Sequence, residues 1–357
     1  MSDILHILPA EPFGGAQRLA LDLAATQRGS GRDVGIVWTN RGDRARQAAE
    51  QAGVPFDFAG EGVERVTAVK QLAREAGSVH LHLAPPWIGL ALPRRSCVVL
   101  HLHVRPSLTV HEPSVRRRID AFAERSLLNR ADRLIAISEW VSEAWQEEYP
   151  AIADKIDVVF NGIPLPPVLG RQDVSGRPLT VGVACRLSDR KGIEEFIRLA
   201  VAIRERSPEV AFRVAGDGPM RGRYEEMAAD AGLGEAMRFD GFVGDMAGFW
   251  AGVDLAAFTP PFEPFGLRLI EPISFGLPVL AYKNGSGSDE VIARCRGVAA
   301  TPYEDRDALA DIAVDLSQRP DERQRLSEAG LSDVREHFSI EAMTRAVDAV
   351  YVRARGA

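Results

Sequence analysis

Short apolar runs with the length of buried strands alternate along this chain with stretches that have helical apolar spacing. The runs lie at 3–8, 33–38, 78–83, 97–103, 133–137 and 156–160, and again at 179–185, 211–215, 237–239, 255–258 and 278–282. Apolar strands separated by helices are typical of parallel sheets that are covered by helices on both faces. The pattern therefore predicts an α/β protein.

The chain of 357 residues is too long for one ordinary hydrophobic core, so two α/β domains are expected. A segment rich in proline and glycine at 161–178 has no periodicity and separates the two series of strands. We place the first domain at 1–168, the second at 169–338 and a final amphipathic helix at 339–357.

Composition narrows the class of function. The net charge of −7 argues against general nucleic-acid binding, which requires a basic face. Three cysteines without CxxC or zinc spacing predict reduced thiols and a cytoplasmic location. No basic leader precedes the first strand, and the longest apolar stretch, 81–92, contains two prolines and is too short to span a bilayer. A soluble protein is expected, and a peripheral position on the inner membrane face stays open.

Two glutamates eight residues apart, Glu263 and Glu271, flank the start of an apolar helical run. Eight residues are a little over two helical turns, so both carboxylates can lie along one face. Free N–H groups at Phe265 and Gly266 can bind an anion at the helix start. This arrangement suits a sugar joined to a nucleoside by phosphates. The alternative is a helix-terminal acid favoured by the dipole and a solvated glutamate.

Two cations, Arg186 and Lys191, follow the strand at 179–185 and precede a helix. A departing diphosphate needs cationic stabilisation that grows in the transition state, and these side chains can supply it. The alternative is a pair of surface cations in a loop.

In the first half, ligands of a parallel sheet are expected beyond the carboxyl ends of its strands, where His103 lies. The turn at Gly14 and Gly15 opens a helix and can approach an anion. His80, His82 and His101 also follow strand alternation. Alternation does not establish that they converge, so we favour packing roles and predict no metal site.

A basic run stands out in the acidic chain, at Arg105, Arg116 and Arg117. It can serve an acceptor that carries phosphate or an anionic membrane, or it can be a solvated helix face paired with Asp120. Asp305 and Asp307 spell D-x-D, but they open a helix, so capping is favoured over metal binding.

A rival pattern begins at Gly216 and Gly218, where strand, G-x-G, helix and the acid Asp240 follow the order of a nicotinamide-cofactor unit. Pro219 replaces a free N–H there, and the third glycine falls one residue late, at Gly222.

The string E-P-F-G-L-R-L-I-E at 263–271 resembles the E-x7-E signature of retaining glycosyltransferases of family 4. Pro272 to Ser274 stand where that family commonly has Ala-Met-Ala. R-L-S-D-R-K-G at 186–192 resembles the family's G-R-L-x-x-x-K-G, with Cys185 in place of glycine. G-D-G-P at 216–219, the turn at 14–15 and the strand-end His103 follow in family order.

This resemblance implies the GT-B fold, in which two Rossmann-like domains face each other across a cleft and the C-terminal helix crosses back to the N-terminal domain. It implies that the second domain binds a nucleotide-sugar donor and the first a glycan or lipid-linked acceptor, with retention and without a metal or other cofactor. Arg186 and Lys191 would hold the diphosphate, Glu271 the ribose, and Glu263 and His103 the sugar. The remaining predicted donor-binding residues are Gly14, Gly15, Gly216, Gly218, Phe242, Pro264, Phe265, Gly266 and Leu267.

No residue is an obvious nucleophile, so a front-face reaction is favoured, in which the leaving phosphate takes the acceptor proton. Two other functions stay open. One is a catalytically silent nucleotide-sugar-binding module, and the other is an NAD(P)-dependent oxidoreductase built on 216–240.

Overall fold

The computed structural model describes residues 2–85, 87–106, 115–166 and 178–356, with backbone only at 62, 63, 90 and 115–121. It divides into two units. The first comprises Met1–Pro164 with Ile340–Ala357, and the second comprises Leu165–Ser339. The boundaries predicted from the sequence, 168 and 338, lie close to these.

The first unit contains a parallel sheet of seven strands in the order β3-β2-β1-β4-β5-β6-β7. Every residue of β1 and β4 is buried, as expected for central strands with helices on both faces. The strands are β1 Ile4–Leu8, β2 Val34–Trp38, β3 Phe56–Phe58, β4 Ser78–His82, β5 Cys97–Leu102, β6 Arg133–Ala136 and β7 Ile156–Val158. The helices are α1 Gly15–Gly29, α2 Asp43–Gln51, α3 Gly62–Glu75, α4 Ile88–Ala91, α5 Val115–Arg130 and α6 Glu139–Glu148.

The second unit contains a parallel sheet of six strands in the order β10-β9-β8-β11-β12-β13. The strand order reverses between β8 and β11, which is where ligands bind in such sheets. The strands are β8 Thr180–Ala184, β9 Ala211–Ala215, β10 Met237–Gly241, β11 Leu255–Phe258, β12 Val279–Lys283 and β13 Val298–Pro302. The helices are α7 Ile193–Arg206, α8 Arg221–Asp230, α9 Met246–Ala251, α10 Leu267–Ser274, α11 Ser288–Arg294, α12 Arg306–Gln318 and α13 Pro320–His337.

The last helix, α14 Ile340–Arg355, packs into the first unit. Its apolar residues Met343, Val347 and Val350 join the core formed by α1 and the sheet. Polar contacts fix its register, because Gln27 Nε2 donates to Asp348 Oδ1 at 3.3 Å and Arg353 Nη2 lies 2.9 Å from Asp157 Oδ1.

The predicted α/β class with two parallel-sheet, Rossmann-like units is confirmed. Among the helices that the structure describes, none combines the length and hydropathy needed to cross a membrane.

Candidate functional site

The segment 185–192 connects β8 to α7 and carries both predicted phosphate cations. Arg186 is exposed, and within 178–356 no side-chain partner engages its guanidinium. Lys191 Nζ lies 3.5 Å from Glu263 Oε2. The end of the segment is fixed because Thr259 Oγ1 donates to Gly192 O at 2.8 Å. A Cβ at Gly192, where φ is 83°, would lie 2.3 Å from Thr259 O, so only glycine allows this approach.

The turn at 216–219 packs directly against this segment. A Cβ on Gly216 would lie 1.8 Å from Cys185 O, and one on Gly218 would lie 2.3 Å from Leu187 O. Leu187 N–H donates to Asp217 O at 2.9 Å. Both glycines are therefore needed for two backbones to approach each other beneath Arg186. Their spacing has a structural reason that requires no dinucleotide.

The backbone of Glu263 is held by the loop between β12 and α11. Glu263 N–H donates to Ser286 Oγ at 2.9 Å, and Ser288 N–H donates to Glu263 O at 3.1 Å. Asn284 Nδ2 extends this support by donating to Pro260 O at 3.0 Å. The loop between β12 and α11 thus positions the first glutamate.

The carboxylate of Glu263 lies between two cations, Lys191 and Arg268. Arg268 Nη2 lies 3.0 Å from Glu263 Oε2, and its Nη1 donates to Lys191 O at 3.3 Å. The guanidinium also stacks over the Phe258 ring at 5.5 Å. Sequence reasoning missed Arg268. The only available signal was one cation within the apolar run that separates the two glutamates.

Glu271 lies on α10 and is half-buried. Trp250 Nε1 donates to Glu271 Oε1 at 3.2 Å. Burial raises the pKa of Glu271, while the Trp250 bond and the charge of Arg268 oppose that shift. A solvated glutamate on an open helix face is therefore excluded, and the carboxylate keeps capacity to accept further hydrogen bonds.

The helix start at Phe265 and Gly266 matches only part of the predicted anion site. Gly266 has φ of 109°, which favours glycine, and it is the N-cap residue of α10. The Phe265 ring is buried and meets Phe338 edge-on at 6.1 Å, so only its backbone can face a ligand. Pro264 and Leu267 are half-buried beside it.

Phe242 follows β10 and is 80% exposed, so it is not a core residue. An exposed aromatic ring after a strand end is available for stacking on a nucleotide base.

In the first unit, Gly14 and Gly15 are exposed at the start of α1. Gly14 has φ of −155°, and a Cβ there would meet no atom closer than 3.7 Å. Neither backbone conformation nor packing requires glycine at this position. The predicted approach of a ligand to this turn stays a prediction, and a plain turn is the alternative.

His103 immediately follows β5 and belongs to a cluster of buried imidazoles. His103 Nε2 lies 3.1 Å from His82 Nδ1, and His101 Nδ1 lies 3.2 Å from His80 Nε2. Five of the seven histidines in the chain lie here, the fifth being His6. Alternation alone did not establish whether His80, His82 and His101 converge, and the strand register places them together.

Burial lowers the pKa of every histidine in this cluster, to about 4 for His6 and His103. Ring nitrogens of His6, His80 and His82, and of His82, His101 and His103, lie within 4.8 Å of one another. These nitrogens are spaced closely enough to hold a metal ion, but several of them already bond to each other. The absence of a metal site stays a prediction.

The remaining candidates lie apart from these groups. The guanidinium of Arg105 stacks over the Trp140 ring at 4.6 Å and is exposed. The side chains of Arg116 and Arg117 lie outside the described residues. The capping prediction is confirmed, since Ala308 N–H donates to Asp305 Oδ1 at 3.3 Å, and Asp307 pairs with Arg206 at 2.6 Å.

Two family models match the chain. Residues 13–165 match the model described as Glycosyltransferase Family 4, and residues 171–333 match the model described as Glycosyl transferases group 1.

Two relatives of this chain are named as glycosyltransferases. The chain is 25% identical over 297 residues to a 2-deoxystreptamine N-acetyl-D-glucosaminyltransferase of Streptomyces fradiae, covering 76% of this chain and 69% of the relative. It is 26% identical over 265 residues to the lipopolysaccharide core biosynthesis mannosyltransferase LpsB of Rhizobium meliloti, covering 71% and 75%. The crystal structure of Anabaena Alr3699/HepE in complex with UDP and glucose has a TM-score of 0.78 at 21% identity, covering 98% and 99% of the two chains.

Proposed function

Because the chain belongs to the group 1/family 4 glycosyltransferases, which have the GT-B fold, we propose that it is a retaining, metal-independent enzyme. It transfers a sugar from a nucleotide-diphosphate sugar to a hydroxyl of a glycan, a glycolipid or a small glycoside. The observation that carries the proposal is the grouping of Lys191, Arg268 and Glu263 at the switch point of the second sheet, with Arg186 on the same connecting segment as Lys191. The UDP and glucose bound in the Anabaena structure support a nucleotide-sugar donor.

In this proposal Arg186 and Lys191 bind the diphosphate. Arg186 projects into solvent and Lys191 is partly exposed, so both can reach an incoming anion. When Lys191 binds the phosphate, Arg268 still pairs with Glu263 and keeps its carboxylate in place. The cations then stabilise the negative charge that grows on the leaving diphosphate as the bond to the sugar breaks.

The two glutamates accept hydrogen bonds from hydroxyl groups of the donor. Glu263 lies beside the phosphate cations and is assigned to the sugar. Glu271 lies about one turn into α10, in a half-buried position, and is assigned to the ribose. The exposed Phe242 ring is assigned to the base, and the backbone of Gly266 to the phosphate.

The proposed step proceeds on one face of the sugar. The bond between the anomeric carbon and the phosphate oxygen breaks, and the acceptor oxygen bonds to the same face of that carbon. The departing phosphate oxygen takes the proton of the acceptor hydroxyl, so no protein nucleophile is needed. By family resemblance, His103 and the turn at Gly14 and Gly15 contact the transferred sugar, and Arg105 serves an anionic acceptor or membrane.

Donor binding tests this proposal. We expect one of the UDP-, GDP-, ADP- and dTDP-sugars to raise the melting temperature of the purified protein and to be hydrolysed slowly to free nucleotide. Glu271→Gln should weaken the stabilisation, because the amide replaces an acceptor oxygen with a donor. Binding without turnover, even with acceptors supplied, would favour the silent binding module. Stabilisation by none of these donors would contradict the assignment of the 263–271 segment.

Chelation is expected to leave the activity unchanged. The charge of the diphosphate is met by Arg186, Lys191 and Arg268, while Asp305 and Asp307 are engaged in a helix cap and an ion pair. Rates measured before and after dialysis against EDTA should agree. A loss of rate that Mg²⁺ or Mn²⁺ restores would contradict the metal-independent mechanism.

A further inference from the structure

A continuous chain of side-chain hydrogen bonds runs through the interior of the first unit to His103. Asp348 Oδ1 lies 3.3 Å from Gln27 Nε2, and Gln27 Oε1 lies 2.9 Å from His6 Nε2. His6 Nδ1 lies 3.0 Å from His82 Nε2, and His82 Nδ1 lies 3.1 Å from His103 Nε2. Three imidazoles are thus joined head to tail, and the last of them is a predicted sugar-binding residue.

The hydrogen bonds in this series all run in one direction, which Asp348 sets. A carboxylate can only accept, so the Gln27 nitrogen must face Asp348 and the Gln27 oxygen must face His6. Arg32 Nη2 lies 2.9 Å from Asp348 Oδ2 and favours its charged form, against the burial that raises the pKa of this carboxyl. The amide orientation of Gln27 is therefore determined by its partners.

Neutral imidazole carries one proton, so each ring in turn has one donor nitrogen and one acceptor nitrogen. His6 must donate from Nε2 to the Gln27 oxygen, which leaves its Nδ1 as an acceptor. His82 then donates from Nε2 to His6 and accepts at Nδ1. His103 donates from Nε2 to His82, and its Nδ1 carries a lone pair. Burial keeps all three rings neutral near pH 7, because their pKa values are strongly lowered.

The Nδ1 atom of His103 is the last atom of this hydrogen-bond series. Among the described residues no hydrogen bond reaches it, and the residue keeps 7% of its surface exposed where β5 ends. An imidazole nitrogen with a lone pair accepts from a hydroxyl and cannot donate to a phosphate or carboxylate oxygen.

We propose that Gln27, His6 and His82 are positioning residues that lock His103 in the tautomer protonated at Nε2, so that Nδ1 accepts a hydrogen bond from a substrate hydroxyl. The tautomer follows from the contacts within the first unit alone. The identification of its partner as a hydroxyl of the donor sugar rests on the proposed function.

A second branch of the same cluster provides a matched control. His80 Nδ1 lies 2.6 Å from the Tyr351 hydroxyl, and His80 Nε2 lies 3.2 Å from His101 Nδ1. This branch ends at His101 Nε2, which is buried without a partner among the described residues. This branch contacts His103 by ring stacking of His101, at a centroid distance of 4.3 Å, and its Tyr351 hydroxyl also contacts Gln27. Asp348 still fixes the orientation of the Gln27 amide when that hydroxyl is removed, so Tyr351→Phe should not change the tautomer of His103.

The test is nitrogen NMR of the full chain labelled with ¹⁵N-histidine, in which shifts and long-range couplings identify the protonated nitrogen of each ring. Single histidine substitutions assign the signals. At pH 7 we expect His6, His82 and His103 to carry the proton on Nε2. Gln27→Leu should shift His103 towards a mixture of tautomers, and Tyr351→Phe should leave His103 unchanged.

A His103 signal protonated at Nδ1 in the unmodified protein would overturn the proposal, even if Gln27→Leu fails to fold. If the His103 tautomer were unchanged in folded Gln27→Leu, Gln27 would not fix that tautomer and the proposal would be wrong. Once a donor is known, kcat/KM of Gln27→Leu should fall roughly tenfold, through loss of one oriented hydrogen bond, while Tyr351→Phe changes it little. Failure to find any donor would contradict the proposed function but would leave the tautomer measurement valid.

Discussion

Replacing Lys191 with alanine is expected to lower kcat by roughly 10²-fold or more, as removal of one charge-stabilising donor does in other enzymes. Lys191 Nζ lies 3.5 Å from Glu263 and on the loop that carries Arg186, so its charge acts where the leaving diphosphate is proposed to bind. The effect should fall more on kcat than on KM, because the charge on the phosphate oxygens grows as the glycosidic bond breaks. Steady-state kinetics with saturating donor would measure it.

Lys70→Ala is the matched control for this variant. Lys70 is an exposed lysine on α3 of the first unit, and it has no assigned role. Its removal changes net charge equally and should leave kcat within a factor of about two, as is usual for surface substitutions. A nearly normal rate in Lys191→Ala, or an equal loss in both variants, would remove Lys191 from the site.

The first unit is expected to lose stability steeply as the pH falls from about 6.5, the ordinary pKa of histidine, to about 4. The folded pKa values of its five clustered histidines lie below the unfolded value, to about 4 for His6 and His103. In this window the unfolded chain binds protons that the folded unit does not bind. Each histidine adds up to about 1.4 kcal/mol per pH unit to the fall in unfolding free energy. Two carboxyls of this unit with raised pKa, those of Asp22 and Asp348, oppose it.

Calorimetry of the full chain between pH 7.5 and 4.5 would measure this dependence. The second unit contains one histidine among its described residues, His337, whose side chain is 41% exposed, so its transition is the internal control. His101→Leu should reduce the proton uptake on unfolding by about one, because it removes one ring that folds in neutral form. A first-unit transition independent of pH from 7 to 5 would contradict the prediction.

Short continuous apolar runs were sufficient to predict the central strands of both sheets, because these strands are buried on both faces. They missed β3 and β13, which lie at sheet edges. β3 is only three residues long, with one exposed residue between two half-buried ones, and β13 is mostly alanine, threonine and proline. These two strands bury too little apolar surface to leave a clear pattern, whereas the other two edge strands, β7 and β10, were predicted from their apolar runs.

The sequence also brought Arg186, Lys191, Glu263 and Glu271 into one hypothesis, because each follows or begins an element whose position in a parallel sheet is predictable. The role of Arg268 was not predicted, because its contact with Glu263 depends on how α10 lies over the end of β11. The histidine cluster was not predicted for a related reason. Alternation places a residue on a face, but only the register between strands, with His6 opposite His80 and His82 opposite His101, decides whether side chains meet.

The contribution of α14 to the first unit has a consequence for synthesis on the ribosome. Asp348 and Tyr351 complete the polar interior of a unit whose sheet is finished by residue 158, and Met343, Val347 and Val350 cover part of its apolar face. The nascent first unit therefore cannot complete its core until residues 165–339 have been translated, and part of its apolar face stays uncovered during that time. During this interval the second unit can fold as a whole, and the first is the part of the chain that chaperones have to protect.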